Sequence, residues 1–479
     1  MASASSRPRL RPVETIVVQD RRLGRALMLR DTQGVTSHAV LPIEVVPIVA
    51  RFTGKSTCEE IAREASTELG ERVPLDLVTK LATELEDALF VDGPPYRRER
   101  ARIEREFASA AVREASHAGG AYHGDPIELA EYIDVECLGT RAGKGRDAPR
   151  ATNSGNPARA TNGGSPARAT NGGSPARATN SGSPARATNG GSPARAANGR
   201  NPTRTADGGD ATNGAEATRA RLVGLVAPHI DPWRGARCYG AAYRALAAAL
   251  PDDVETFVLL GTSHAPMREP FALCRKTFAT PLGPMEADFD AIDAIATACD
   301  FDPYADQFNH KREHSLEFQA VFLRHLLGKR RARIIPILAG LGAHQQSGES
   351  PTRSRSVTRF YDALRKIVDR RSAVVIAGAD LAHVGPRFGD PRALDEAERT
   401  RLDSVDRDSL ARAERVDAEA FWEHVASDLD SRRVCGLGPM YSLLRTIDPS
   451  ARGEVRHYEQ TVDPEEGSIV SHAAVGFYA

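Results

Sequence analysis

The spacing of apolar residues changes period several times along the chain, and each change predicts an element. Glu14-Thr-Ile-Val-Val-Gln reads as a polar, hairpin-like stretch, and Arg25-Ala-Leu-Met-Leu-Arg-Asp-Thr-Gln-Gly as a strand followed by a turn. Helical spacing follows. Pro42–Phe52 carries Ile43, Val46, Ile48 and Val49, Thr57–Leu69 opens with a Thr57/Glu60 capping box, and Pro74–Ala88 places Leu75, Val78, Leu81 and Leu85 on one face. Leu89-Phe-Val-Asp-Gly reads as a short closing strand. A charged helix over 99–112 and another from Pro126 to about Leu138 come next. Further on, Leu222-Val-Gly-Leu-Val-Ala-Pro-His and Thr256-Phe-Val-Leu-Leu-Gly-Thr-Ser-His are two apolar runs of strand length, separated by an Ala-rich helical segment. That β-α-β order predicts parallel strands, whose carboxyl ends share one edge of the sheet. His229 and His264 close the two runs, so both belong on the edge where open α/β sheets build their sites.

The same alternation continues to residue 479. Helices are expected near 286–299, over 313–327 and 358–369, and near 394–412 and 417–427, with strands at Ala332–Leu338 and from Ala373. A β-rich tail starts at Ser468.

One stretch breaks the pattern. From Ala151 to Arg204 a nine-residue unit recurs, for example Ala160-Thr-Asn-Gly-Gly-Ser-Pro-Ala-Arg168. It holds no aromatic or large aliphatic residue, so ordering it would bury nothing to offset the lost entropy. The residues therefore divide into a disordered start (1–13), a small α+β module (14–98), a helical connector (99–112), the first segment of a larger domain (113–138), a disordered linker (139–220) and the main α/β domain (221–479).

Charge excludes more than it suggests. With 63 basic and 64 acidic residues, no net field argues for specific nucleic-acid binding or a membrane surface. No apolar run approaches the length of a membrane span, and the first residues lack the apolar core of a signal peptide. The six cysteines (58, 137, 238, 274, 299 and 435) are scattered without a Cys-x-x-Cys, which fits a reducing cytosol.

Four strand ends carry polar groups: His229, His264, the Asp380/His383 pair and the Cys435 turn. Glu313, His314 and Glu317 open a helix as further pocket candidates. Histidine and cysteine are borderline-soft ligands, suited to iron, copper or zinc rather than magnesium or calcium. Plainer roles exist for each: a buried thiol at Cys435, a helix cap at Asp380, charge partners of a helix terminus at Glu313 and Glu317.

A series of short motifs decides between these. Arg113-Glu-Ala-Ser-His-Ala-Gly, Ala227-Pro-His, Gly261-Thr-Ser-His, Thr280-Pro-Leu-Gly, Glu313-His-Ser-Leu-Glu, Ile335-Pro-Ile-Leu-Ala-Gly, Asp380-Leu-Ala-His-Val-Gly and Cys435-Gly-Leu-Gly-Pro-Met occur in this order. Over 113–138 and 221–479 the chain thereby resembles the MEMO family, also called AmmeMemoRadiSam system protein B. The resemblance implies a parallel or mixed sheet flanked by helices, similar to class III extradiol dioxygenases, and metal ligands at His229, His264 and Cys435. It also implies a pocket lined by Asp380 and His383 as catalytic groups, and iron, or alternatively copper, as the cofactor. The family name links it to a radical-SAM protein and an AMMECR-type protein. The 14–98 module is similar to PqqD-like winged-helix domains, which implies a peptide ligand. The expected function is a metal-dependent, dioxygenase-like oxidoreductase, with a non-catalytic metal- or peptide-binding adaptor as the alternative. Two motifs depart from the family: Pro-His-Ile-Asp-Pro stands for the usual Pro-His-Ala-Gly-Tyr, and Ser-His-Ala for Ser-His-His.

Overall fold

The computed structural model describes residues 2–140 and 221–479; the repeat tract lies outside the described residues. The described residues, 2–140 and 221–479, form one compact unit.

The N-terminal part opens with an antiparallel sheet of β1 (Glu14–Asp20), β2 (Gly24–Arg30) and β3 (Ala39–Pro42), in that order. The helix expected over 42–52 is cut to a 3-10 turn and a single helical turn, α1 (Val46–Val49). Pro47 has no N–H to continue a hydrogen-bond ladder from the preceding residues. In α2 (Cys58–Leu69) the capping box forms as expected: the Thr57 hydroxyl accepts from Glu60 N–H at 3.2 Å, and Thr57 N–H donates back to the Glu60 carboxylate at 2.7 Å. With α3 (Leu75–Asp87) it buries Ile61, Val78, Leu81 and Leu85 against Ile48, Phe52 and Phe90. The strand expected over 89–93 does not form. Leu89 sits in the left-handed region at φ 64°, which breaks an extended run, and Val91 keeps one isolated bridge to Leu10. The charged helix, α4 (Pro94–Ser109), starts earlier than expected, with two prolines in its first turn. Its Ile103 and Phe107, with Tyr96 and Val35, pack into the core of the larger domain.

β4 (Val112–Arg113) and α5 (Pro126–Tyr132) lead, through a π turn over Ile133–Leu138, to that domain. Its elements are β5 (Leu222–Ala227), α6 (Pro232–Ala249), β6 (Thr256–Thr262), β7 (Phe271–Leu273), β8 (Thr277–Phe278) and β9 (Glu286–Ala287), then α7 (Phe289–Ala298), α8 (His314–Leu327) and β10 (Arg333–Ala339). There follow α9 (Gly342–Ser347), α10 (Arg355–Arg371), β11 (Val374–Gly378), β12 (Asp380–Val384), α11 (Glu396–Glu414), α12 (Ala418–Ala426), α13 (Leu437–Thr446), β13 (Arg452–Val462) and β14 (Ile469–Tyr478).

The central sheet is mixed. β5, β11, β6 and β10 run parallel, in that spatial order. β14 adds antiparallel to β5 and carries β12 and β13, and β7 adds antiparallel to β10. The two strands expected to be parallel are so, with β11 between them. Successive residues of these strands face opposite layers. Phe257 and Leu259 pack with α6 and α8, whereas Val258 and Leu260 pack with α7, α10, α12 and α13. A strand buried on both faces must be apolar throughout, which is why β5, β6 and β11 read as unbroken apolar runs. Each fully buried Val, Leu, Ile or Phe stabilises the fold by roughly 1.5–3 kcal/mol. No helix among the described residues is long and apolar enough to cross a membrane.

Candidate metal centre

His229 follows the carboxyl end of β5 and is buried. Its backbone N–H donates to Asp380 Oδ1 at 2.9 Å, and its Nδ1 lies 2.9 Å from the Gly378 carbonyl. A carbonyl only accepts, so the ring proton sits on Nδ1 and Nε2 keeps its lone pair. His264 follows β6 and is seated in the same manner. Its backbone N–H and Nδ1 both donate to Glu313, each at 3.0 Å. Glu313 is also the N-cap of α8, accepting from Ser315 N–H at 3.0 Å.

Cys435 arrives from the turn before α13. Thr262 Oγ1 donates to its carbonyl at 2.7 Å, and Gly436 N–H donates to the Asp380 carbonyl at 3.0 Å. A Cβ at position 436 would collide with that carbonyl and with Ala379, so the close approach needs glycine. Cys435 Sγ lies 3.1 Å from His229 Nε2. Donor atoms of His229, His264 and Cys435 all fall within 4.8 Å of one another, and those of His264, Glu313 and His314 form a second such group. Around a tetrahedral ion with bonds of about 2.0–2.3 Å, donors sit roughly 3.3–3.8 Å apart, so modest contraction closes the first group. The residues present fit a transition metal.

Burial sets the charges here, and specific partners correct it. Burial favours a neutral His264 ring, but the charge and hydrogen bond of Glu313 outweigh it and raise its pKa. Burial likewise works against ionised Glu313, yet His264 and then His314 hold that carboxyl well below its usual range. Asp380 is also lowered: desolvation opposes this, and the His229, His472 and His383 charges prevail. Burial, reinforced by Asp380, drives the Cys435 thiol well above its ordinary value. His383 is pushed down to about 4 and His314 well below its ordinary value, both chiefly by burial. The cluster thus holds a neutral thiol and two neutral-leaning imidazoles, His314 and His383, beside the carboxylates of Glu313 and Asp380.

His229, His264, His314, His383, Glu313, Asp380 and Cys435 line one cavity of about 510 Å³. Asp380 does not cap a helix. It opens β12 and pairs with His472 on β14. Glu317 is enclosed and does not line the cavity. Arg113, Tyr122 Oη (2.6 Å), Ser116 Oγ (3.0 Å) and both His117 N–H (2.9 Å) and Nδ1 (3.0 Å) converge on it. What lines the cavity instead is His117, beside His314, with ring centroids 5.7 Å apart. Its Arg113-Glu-Ala-Ser-His setting was the available signal, but nothing in that segment says which helix its histidine meets. The cavity also takes a wall from the N-terminal sheet, Glu14, Ile16 and Arg30, and from Asp31 and Thr32 just after β2.

A mixed sheet with two histidines and a cysteine gathered at its carboxyl edge defines an α/β protein with a candidate metal centre. Residues 208–476 match the family model described as Memo-like protein, and the chain belongs to this family. Among relatives, it is 27% identical over 267 residues to a MEMO1 family protein of Aquifex aeolicus, covering 55% of this chain and 65% of that one. It is 32% identical over 210 residues to one of Thermus thermophilus (43% and 58% covered) and 28% identical over 261 residues to one of Archaeoglobus fulgidus (53% and 87%). The match thus spans less than two thirds of the Aquifex and Thermus proteins.

Proposed function

We propose that His229, His264 and Cys435 hold one redox-active transition-metal ion, iron with copper as the alternative, and that the chain is a non-haem oxidoreductase with a fold akin to the class III extradiol dioxygenases. One observation carries this reading. Both imidazoles commit their Nδ1 protons to fixed acceptors, Gly378 and Glu313, which leaves their Nε2 lone pairs free, and donor atoms of the two rings and the thiol sulfur lie within 4.8 Å of one another. A buried thiol whose ionisation is opposed by its surroundings needs a neighbouring cation to become a thiolate. When bound, the ion supplies Lewis acidity and one-electron chemistry.

The chain's own residues then have distinct tasks. Asp380 fixes the His229 backbone and lends negative charge to the cluster. His383, neutral at physiological pH and lining the same cavity, is placed to accept a proton from a ligand hydroxyl. Glu313 holds His264 in one tautomer. The cavity volume suits a small molecule. A radical-SAM protein and an AMMECR-type protein are the proposed companions.

The test is metal analysis of anaerobically purified protein, followed by oxygen uptake with catechols. About one iron or copper per chain with catechol-dependent uptake supports the enzyme, and metal without uptake assigns a binding role. Protein that neither retains nor takes up a transition metal refutes the centre.

A further inference from the structure

The entrance to the cleft carries a charge that the metal reading does not use. Five guanidinium groups line the cavity: Arg30, Arg234, Arg312, Arg387 and Arg433. Four face a carboxylate, Arg30 with Glu14 at 2.6 Å, Arg234 with Asp231 at 2.5 Å, Arg387 with Asp463 at 3.3 Å and Arg433 with Asp390 at 2.6 Å. Arg312 has no such partner among the described residues. The remaining cavity carboxylates are committed. Asp31 is buried against Arg11 at 3.0 Å and accepts the N–H groups of Gln33 and Thr36, Glu313 holds His264, and Asp380 holds His229.

Arg312 is also held in place. Its aliphatic stem runs across Gly34, where a Cβ would collide with its Cδ, and Gly34 itself has φ +70°. The loop carrying Gly34 is fastened at both ends. Asp31 accepts its backbone N–H groups, and Gln33 Nε2 donates to Asn309 Oδ1 at 3.0 Å. Asn309 in turn donates to the Pro266 carbonyl at 3.1 Å, beside the loop that bears His264. The loop after β2 therefore braces the unpaired guanidinium, which the turn Gln307–Arg312 brings to the edge of the cleft.

We infer that the cleft takes a small ligand bearing a carboxylate or comparable anionic group, and that Arg312, braced by Gly34, recognises it. A guanidinium presents its donors as a planar fork matched to a carboxylate, and an unpaired one at a cavity mouth favours an anion over its neutral isostere. The inference rests on the cleft being the ligand site proposed above, but not on the identity of the metal. Cavity size decides for a small molecule over a folded partner.

The probes are benzoate and its neutral isostere benzamide, followed by ligand-observed NMR on the full chain, both metal-stripped and metal-loaded. Benzoate is expected to bind the metal-stripped chain roughly tenfold more tightly than benzamide, the size of one charge-assisted hydrogen bond. Arg312→Met should abolish the preference and Arg312→Lys restore part of it. Gly34→Val, which leaves the guanidinium but displaces its stem, should weaken it too. Equal binding of both probes, binding of neither, or a preference that survives Arg312→Met overturns the inference. Metal content is read separately on the same samples, so loss of the metal reading with an intact benzoate preference is distinguishable from the reverse.

Discussion

Glu317 lies one helical turn beyond Glu313 on α8, and the two carboxylates grip two histidines by the same pair of contacts. Glu313 takes the backbone N–H and Nδ1 of His264; Glu317 takes the backbone N–H and Nδ1 of His117. Their surroundings differ. Glu313 is tied to one of the three candidate ligands, whereas Glu317 also neutralises Arg113, whose side chain is fully enclosed.

The two should therefore fail differently. Glu313→Gln is expected to weaken metal binding by about 10–100-fold, the usual effect of losing a partner that orients a ligand. Glu317→Gln should instead lower stability by roughly 3–5 kcal/mol, because it leaves a buried guanidinium without its counter-charge. Metal titration and denaturant unfolding of both variants separate the roles. Matching losses in both assays would show that α8 acts as a single support.

Cys435→Ser should cut metal occupancy sharply while the fold survives, since Cys435 lies in a turn at the edge of the cavity. Metal content and circular dichroism of the variant measure the two outcomes. Full retention of iron or copper would remove Cys435 from the ligand set.

Gly436→Ala should damage the same centre without touching a ligand atom. The added methyl group meets the Asp380 carbonyl and Ala379, so the turn must move and carry Cys435 Sγ away from His229. A stability cost of roughly 1–3 kcal/mol is expected, with weaker metal binding. Unchanged metal affinity would show that the turn can shift without displacing the sulfur.

Acid should destabilise the protein through His310. This ring is fully buried, donates from Nε2 to the Ala272 carbonyl at 3.0 Å, and has no partner for Nδ1. Burial pushes its pKa down to about 4 from an ordinary 6.5. Above 6.5 both folded and unfolded chains are neutral at this site, and its contribution is intact. As pH falls below 6.5 the unfolded chain binds a proton that the folded chain refuses, so stability drops until about pH 4, by roughly 3 kcal/mol in all. Urea unfolding at pH 7, 5.5 and 4.5 should show this slope in the native chain and a shallower one in His310→Gln. Parallel slopes would assign the acid sensitivity to other groups.

Local and periodic signals were legible in the residues themselves. Thr57 and Glu60 form their capping box within one helical turn, and the unbroken apolar runs of β5, β6 and β11 announce strands covered on both faces. The β-α-β order was enough to bring His229 and His264 to one edge, because the crossover makes the two strands parallel and parallel strands end on the same edge. Where sequence reasoning misplaced an element, a single backbone conformation decided: Pro47 shortened α1, and the left-handed Leu89 ended a strand before it began.

Everything that depends on residues far apart in the chain meeting in space was left to the tertiary structure. Arg113 and His117 reach Glu317 across about two hundred positions, and Gln33 reaches Asn309 across 276. No period or spacing encodes such pairs, since each is set by how whole layers pack. The sequence alone determined most of the strands and helices of the α/β domain and the set of candidate donors. Packing decided that Glu317 is sealed away from the cavity, that His117 lines it, and that the N-terminal sheet forms one of its walls. Contacts within a turn or a strand pair follow from local geometry, whereas contacts between layers exist only once the core has closed.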